Sequence, residues 1–204
     1  MSLRTQSIQS FLDQLASASP TPGGGSVAAL SGALAAGLIV MVCDLTIGRP
    51  RYAEFTDDAQ RIRAEAERLR QQLTDLIDRD IAAYQAVASA YKLAKDDPSR
   101  ATAIAAAMLT ATDIPLQIAE AAAQLLPLAL PVATAGNKSA VGDVVAAAHL
   151  SVAAVQAALV NVTANLPSLS NQPQAAEFVA RQQRLLADIH TQCAAVVAAG
   201  TARM

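Results

Sequence analysis

The amino-acid sequence predicts an all-α protein, folded as a compact bundle of long alanine-rich helices. Hydrophobic residues make up 53% of its 204 residues, and alanine, the strongest helix former, dominates them. Apolar residues recur at helical spacing along most of the chain, and no convincing run alternates apolar and polar residues as a strand does. Because a chain of this length supports one substantial core, we expect a single helical domain over residues 1–204.

The first predicted helix covers residues 5–17 and is amphipathic. Four apolar residues share one of its faces: Ile8, Phe11, Leu12 and Leu15. The loop that follows contains two prolines and the consecutive glycines Gly23, Gly24 and Gly25. Glycine lets backbone N–H groups approach a ligand closely, and a helix N-terminus suits an anion. The loop is therefore a candidate binding site, and the alternative is a tight connecting turn.

The second predicted helix begins at Ser26, which suits an N-cap position, and the sequence Gly48, Arg49, Pro50 ends it. The stretch Ser26–Cys43 carries no charge over a length that would cross a membrane. Its serines, glycines and alanines partition weakly into lipid, and neither end has an aromatic belt. We therefore interpret it as a buried central helix and expect no membrane partner.

The most regular pattern predicts a long helix from about residue 55 to residue 93. Its inward positions recur alternately three and four residues apart, as in a coiled coil. They form two rows: Ala59, Ala66, Leu73, Asp80 and Val87 in the first, and Ile62, Leu69, Leu76, Ala83 and Ala90 in the second. Asp80 is the exception, because it places a carboxylate where the residues one heptad away are apolar.

Similar patterns predict the later helices, over residues 99–112, 113–126, 143–165 and 174–199. Asp113 and Pro115 have the order typical of an N-cap and a first turn, so we expect a break between the first two of these helices. Pro127 and Pro131 predict an irregular connection after them.

The charge and the cysteine and histidine content argue against a nucleic-acid partner and against a metal. The formal net charge is −2, and the basic residues are not clustered, so we expect no nucleic-acid partner. Cys43 and Cys193 lie far apart in apolar runs, which argues against a disulfide framework and against a zinc site. His149 and His190 lack neighbours at metal-binding spacing, so we expect no metal. The N-terminal segment lacks a signal-peptide pattern, and we expect a cytoplasmic protein.

Asp80 is the first candidate for chemistry. A carboxylate removed from water has a raised pKa, which suits a general acid or base. Tyr84 lies one helical turn further along on the same side. The alternative is that Asp80 is a polar residue that sets the register of a helix–helix contact, and the residues alone leave both interpretations open.

Polar residues of the penultimate helix form a second set of candidates. Asp143, Asn161 and Asn165 share one face, but Asp143 and Asn161 lie roughly 27 Å apart along the axis. Either one alone belongs to a site, or a dimer brings opposite ends of this helix to two different sites. Asn165, beside Pro167, also suits helix capping. Lys92 follows the long helix, where a lysine is usually solvated.

Six segments, in order between Phe11 and Leu166, carry a resemblance to a known family. They are FLDQLASASPTPGGGSVAALSGALAAG, MVCDLTIGRPRY, LIDRDIAAYQAV, YKLAKDDP, GNKSAVGD and NVTANL. Together they resemble the cyclodeaminase/cyclohydrolase family of folate one-carbon enzymes. The resemblance implies an all-α homodimer with a folate site near the subunit interface, and no cofactor beyond the tetrahydrofolate substrate.

The resemblance also implies site residues. Asp80 matches the position of the family's catalytic acid or base. The implied substrate-binding residues are Gly23, Gly24, Gly25, Arg49, Lys92, Asn137, Asp143 and Asn161. Gly142 precedes Asp143 where many relatives have a serine, so one hydroxyl of the family pattern is absent here.

The MVCDLTIG segment and the stand-alone chain look more like the bacterial cyclohydrolases, which open 5,10-methenyltetrahydrofolate to 10-formyltetrahydrofolate. One alternative is a formiminotetrahydrofolate cyclodeaminase, which releases ammonia. Another is a non-catalytic folate-binding helical protein. We expect a folate substrate, with or without a polyglutamate tail, bound by a cytoplasmic homodimer.

Overall fold

The computed structural model describes residues 5–204, and within that range it contains seven α-helices and no strand. In chain order the helices are α1 (Ile8–Leu15), α2 (Gly24–Thr46), α3 (Thr56–Lys92), α4 (Arg100–Ala123), α5 (Leu125–Ala135), α6 (Val141–Asn165) and α7 (Ala175–Thr201). Short 3-10 turns cover Pro50–Phe55, Lys138–Ala140 and Leu166–Leu169. The all-α prediction is confirmed.

Helix α2 lies at the centre of the bundle and packs chiefly against α3 and α6, with smaller contacts to α4 and α5. Its inward residues are small, and Ala28, Ala35 and Ala36 are fully buried. Three described helical stretches are long and apolar enough to cross a membrane by length and composition: Gly24–Thr46, Arg100–Ala135 and Lys138–Leu169. In this structure half of the apolar window in each stretch is buried inside the protein.

Helix α3 confirms the heptad pattern almost to the residue. Both predicted rows face the core, and eight of their members are buried: Ala59, Ile62, Ala66, Leu69, Leu73, Leu76, Ala83 and Ala90. Asp80 and Val87 are only partly buried, because a cavity opens beside them. The Asp80 carboxylate therefore lies where the apolar contact between α3 and the core gives way to the cavity.

The predicted break at Asp113 and Pro115 is wrong, because α4 continues through both residues. A proline inside a helix removes the N–H that would bond the carbonyl four residues earlier, here the carbonyl of Ala111. The side chain of Asn165 in α6 supplies the missing donor, with its Nδ2 bonding the Ala111 oxygen at 2.8 Å. A hydrogen bond from another helix thus stabilises α4 at a position where the local sequence favours a helix end.

The irregular connection predicted at Pro127 and Pro131 is also wrong, because α5 is helical over both. Pro127 is the third residue of α5, where a backbone N–H has no partner within the helix anyway. Leu126 and Ala129 before Pro131, and Ala133 after it, are fully buried. Burial of apolar residues on either side holds Pro131 inside this short helix.

The terminal helices differ in how much of their apolar face is used. Helix α1 is shorter than predicted, and of its apolar face only Phe11 is buried, while Ile8 is 81% exposed. In α7 the sequence places Phe178, Leu185, Ile189 and Val196 on one face. Three of them are buried, and Leu185 is partly buried.

Candidate functional site

A cavity of about 370 Å³ lies where the N-terminus of α2, the middle of α3, α4 and the C-terminal end of α6 meet. Fourteen residues line it: Pro20, Thr21, Gly23, Gly24, Gly25, Asp80, Ala83, Tyr84, Val87, Met108, Ala111, Pro115, Asn161 and Asn165. Asp80 is the only carboxylate among them, and none is a cation. This space, called the first cavity below, combines one ionisable acid with largely apolar and amide surroundings.

Asp80 is held by the first turn of α2. The Ser26 hydroxyl donates to Asp80 Oδ2 at 2.8 Å, and the Ser26 backbone N–H also interacts with the carboxylate. Burial raises the pKa of Asp80 above its ordinary value, and the two Ser26 interactions oppose that rise. The helix N-terminus favours negative charge in the same place. The carboxyl group is therefore suited to exchange a proton nearer neutral pH than an exposed aspartate.

The position of Ser26 corrects the N-cap prediction. Helix α2 begins at Gly24 with Gly23 as its N-cap, so Ser26 is the third residue of the helix. Its side chain is fully buried. The hydroxyl bonds a carboxylate 54 residues away in the chain instead of capping its own helix.

Gly25 allows the carboxylate to lie directly against α2. A Cβ placed on Gly25 would fall 2.6 Å from Asp80 Cγ and 2.9 Å from Oδ2, so that the carboxyl group or the helix start would have to shift. The same construction on Gly24 meets Asn161 Nδ2 at 3.4 Å, and on Gly23 it meets only the Pro20 carbonyl at 3.7 Å. Of the three glycines, Gly25 is the one that the site geometry requires.

The other polar groups of the first cavity are amides and one phenol. Asn161 donates from Nδ2 to the Ala157 carbonyl at 2.9 Å, which leaves its Oδ1 facing the region of Gly24 as an acceptor. Asn165 is occupied by the bond to Ala111. Tyr84, 45% exposed, lies one turn from Asp80 and lines the cavity. Its ring offers an aromatic surface to a planar ligand.

Three of the predicted binding residues lie elsewhere. Arg49, Asn137 and Asp143 line a second cavity of about 740 Å³ at the opposite end of α2. Gly24 lines the first cavity, and Met41 and Leu45 of the same helix line the second. At roughly 1.5 Å per residue, these two lie about 26 Å and about 32 Å from Gly24 along the axis. Asp143 is in the first turn of α6 and Asn161 near its last turn, so the separation predicted for this pair is confirmed.

Within the second cavity the predicted residues have different roles. Asn137 is almost fully buried, and its side chain donates to the Leu45 carbonyl at 2.8 Å and accepts from the Ser139 N–H at 3.0 Å. Both of its polar atoms are thus used to join the end of α2 to the start of α6. Arg49 and Arg51 also line this cavity, and neither pairs with a carboxylate among residues 5–204.

Lys92 lines neither cavity, since it is the exposed last residue of α3. Cys43 and Cys193 are both buried and unpaired. In the part of the chain that the structure describes, no group of three or more His, Cys, Asp or Glu side chains is arranged to hold a metal ion. Sequence reasoning missed the bond between Ser26 and Asp80, because spacing along the chain carries no signal for it.

The fold and the first cavity define an all-helical protein with a partly buried carboxyl group, that of Asp80, in a cavity of otherwise uncharged residues. The chain belongs to the formiminotransferase-cyclodeaminase family, whose model matches residues 7–184. This membership confirms the resemblance seen in the sequence.

Known proteins resemble the chain over most of its length. It is 39% identical over 187 residues to a methenyltetrahydrofolate cyclohydrolase of Methylorubrum extorquens, covering 90% of each chain. It is 34% identical over 206 residues to the formimidoyltransferase-cyclodeaminase of Mus musculus, covering 99% of this chain and 38% of the mouse protein. The crystal structure of a formiminotetrahydrofolate cyclodeaminase from Thermotoga maritima matches with a TM-score of 0.89 at 28% identity, covering 97% of both chains.

Proposed function

We propose that the protein is a methenyltetrahydrofolate cyclohydrolase, which converts 5,10-methenyltetrahydrofolate and water to 10-formyltetrahydrofolate. The observation that carries the proposal is the partly buried Asp80 carboxyl group, with a raised pKa, in a ligand-sized cavity. The similarity to a methenyltetrahydrofolate cyclohydrolase, which covers 90% of each chain, supports the proposal. The chain would act in the cytoplasm and need no cofactor beyond its folate substrate.

In the proposed mechanism Asp80 first acts as a base. Water attacks the methenyl carbon between N5 and N10, a C–O bond forms, and Asp80 accepts a proton from that water. The carbon becomes tetrahedral. Asp80 then returns its proton to N5 as the C–N5 bond breaks, and the remaining hydroxyl loses its proton while the formyl carbonyl forms on N10. One water is consumed and one proton is released. A base with a raised pKa suits both steps.

The cavity also supports a place for the ligand rings. Tyr84 and Val87 form one wall and Met108 another, and such surfaces suit a planar heterocycle. The amide oxygen of Asn161 and the backbone N–H groups of Gly24 and Gly25 would hydrogen-bond polar edges of the ligand. These contacts would place the reacting carbon beside Asp80, which is the main requirement for a positioned base.

We propose further that the protein acts as a homodimer built on the outward face of α2, which is partly exposed along its length. Six apolar residues form this face, called the α2 stripe: Val27, Leu30, Leu34, Leu38, Met41 and Leu45. They recur three and four residues apart and leave Leu34 54% exposed. A second copy of the chain is the partner that such a stripe fits, because a two-fold axis pairs the stripe with itself.

The dimer would explain why the predicted binding residues lie in two groups. The first cavity adjoins Gly24, and Met41 and Leu45 line the second cavity. Leu34 lies about 15 Å from Gly24 and about 16 Å from Leu45 along the helix. An antiparallel pair of α2 helices centred on Leu34 would therefore bring the first cavity of one subunit beside the second cavity of its partner. Arg49 and Arg51 would then meet the anionic glutamate tail of the folate.

Replacement of Asp80 by Asn tests the function. We expect the wild-type protein to accelerate the decay of methenyltetrahydrofolate absorbance above the spontaneous rate, and Asp80→Asn to lose at least about 10²-fold of that acceleration. Ligand binding should persist, because Asn keeps the shape of the side chain. Near-normal turnover by Asp80→Asn contradicts the role of Asp80, and absence of wild-type turnover contradicts the cyclohydrolase proposal.

The second candidate is formiminotetrahydrofolate cyclodeaminase activity, which the 0.89 TM-score to a cyclodeaminase favours. This reaction also forms a tetrahedral carbon between N5 and N10, so the same carboxyl group would serve. Ammonia release from 5-formiminotetrahydrofolate by the purified protein distinguishes it. Tight folate binding without turnover of either substrate supports the non-catalytic interpretation instead.

A further inference from the structure

We infer that Ser26 is a positioning residue for Asp80, holding the carboxyl group in place through both its ionised and its protonated state. The inference rests on the proposed function, in which Asp80 takes up a proton and then releases it. A hydroxyl group can donate to a carboxylate and can also accept from a carboxylic acid. A lysine, an arginine or a backbone N–H can only donate. Ser26 therefore matches a group that changes its protonation state during a reaction.

The direction of the Ser26 side chain distinguishes it from the other buried hydroxyl groups. Thr46, Thr112 and Ser151 each donate to the carbonyl four residues earlier in their own helix, at 2.6–2.8 Å. The residue four positions before Ser26 is Pro22, which precedes α2. No helical carbonyl is available there, so the hydroxyl is directed across to Asp80.

The surroundings leave Ser26 as the group that chiefly balances the buried charge. No lysine, arginine or histidine lines the first cavity, and Tyr84 is its only titratable side chain besides Asp80. The residues of α2, α4 and α6 that line the first cavity or bond Asp80 include no charged side chain, as Ser26, Met108, Pro115 and Asn161 illustrate. Removal of the hydroxyl therefore acts on Asp80 without exposing it to a compensating cation.

The direct test measures the protonation of Asp80 without substrate. The side-chain carboxyl ¹³C resonance of Asp80, assigned with Asp80→Asn, is titrated in the wild-type protein and in Ser26→Ala. The hydroxyl bonds the ionised carboxylate more strongly than it bonds the neutral acid. Its loss therefore costs the ionised form more and raises the pKa of the carboxyl group, and we expect an upward shift of roughly one unit. The near-isosteric Ser26→Cys, with a weak donor, should give a smaller upward shift.

Ser151→Ala is the matched control, because it removes another buried hydroxyl that bonds only within its own helix. It should leave the Asp80 titration unchanged. An unaltered Asp80 pKa in folded Ser26→Ala and Ser26→Cys proteins overturns the inference. The same result in Ser151→Ala as in Ser26→Ala overturns it too, since the shift would then be a general effect of losing a buried hydroxyl.

The kinetic test uses the pH dependence of the cyclohydrolase reaction. In Ser26→Ala the acidic limb of kcat/KM should move to higher pH with the Asp80 titration, and kcat should fall about tenfold while KM changes little. If Asp80→Asn keeps its turnover, the proposed role of Asp80 fails while the NMR titration still decides the Ser26 contact. If Asp80→Asn is inactive and the limb in Ser26→Ala stays in place, the positioning role of Ser26 fails alone.

Discussion

At the scale of single residues, the geometry of the first cavity depends on the absence of a Cβ at Gly25. Asp80 lies against the first turn of α2 where Gly25 has no Cβ. Substitution of a helical glycine by alanine ordinarily stabilises a helix by roughly 0.5–1 kcal/mol. At Gly25 the steric conflict with the Asp80 carboxyl group outweighs this gain, because the carboxyl group must move or the helix start must shift.

We predict opposite outcomes for two neighbouring glycines. Gly25→Ala should displace Asp80 and lower cyclohydrolase kcat by at least about 10²-fold, since a misplaced base loses its alignment. Gly23→Ala should keep activity within about threefold, because its Cβ would meet only the Pro20 carbonyl at ordinary contact distance. Turnover and thermal melting of both variants check this. Equal activity in the two variants would show that the close approach of Asp80 is not required.

The Ser26–Asp80 bond also shows where sequence reasoning stops at this scale. Asp80 could be identified as unusual from its row on α3, because the expected residue there is apolar. Its partner could not, because Ser26 has a local role as an N-cap that the pattern Gly-Gly-Gly-Ser equally supports. The choice between these roles depends on where α2 begins, and helix boundaries shift by a residue or two without strong local signals.

At the scale of helices, the sequence predicts α3 well and α4 poorly, for related reasons. The ends of α3 were predicted within one residue, because a heptad pattern repeated five times outweighs local noise. In α4 the prediction followed Pro115, whose local effect is to end a helix. The bond from Asn165 to the Ala111 carbonyl removes much of that cost. Such a bond between two separate helices leaves no periodic trace in the sequence.

The bond from Asn165 to the Ala111 carbonyl predicts that substitutions at Pro115 and Asn165 have non-additive effects on the free energy of unfolding. Asn165→Ala should lower the free energy of unfolding by about 1–3 kcal/mol, because the partly buried Ala111 carbonyl loses its donor. In a Pro115→Ala background the same change should cost clearly less, since the new alanine has a backbone N–H that can bond that carbonyl. Urea unfolding of the two single variants and the double variant measures the coupling. Purely additive losses would mean that Asn165 stabilises the protein by some other contact.

At the scale of the whole molecule, α2 is the central helix, and one cavity lies at each of its ends. The first cavity has a carboxylate and no cation, and the second has Arg49 and Arg51. A folate has planar rings, which suit the first cavity, and an anionic tail, which suits the arginines of the second cavity. One ligand could therefore contact both. Within one subunit roughly 26–32 Å of helix α2 separates the residues that line the two cavities. The candidate residues of the sequence therefore fall into two separate places in the structure.

The proposed antiparallel dimer predicts recovery of activity in a mixed pair of subunits. Asp80→Asn lacks the base, and Arg49→Glu repels the anionic tail, so each homodimer should be impaired. In the heterodimer one site would combine Asp80 from one subunit with Arg49 from the other, and the second site would carry both defects. Differently tagged subunits, co-expressed and purified as the mixed species, should therefore show about half of the wild-type activity per dimer.

The controls separate this arrangement from its alternatives. Lys95→Glu reverses an exposed cation that lines neither cavity, and it should leave the homodimer active. If Arg49 acted on the cavity of its own subunit, each site of the mixed pair would retain one defect and no activity would return. A monomeric wild-type protein in light scattering, or full activity of Arg49→Glu, would likewise contradict the composite site. Recovery of activity in the mixed dimer requires that the two ends of α2 serve one ligand from two chains.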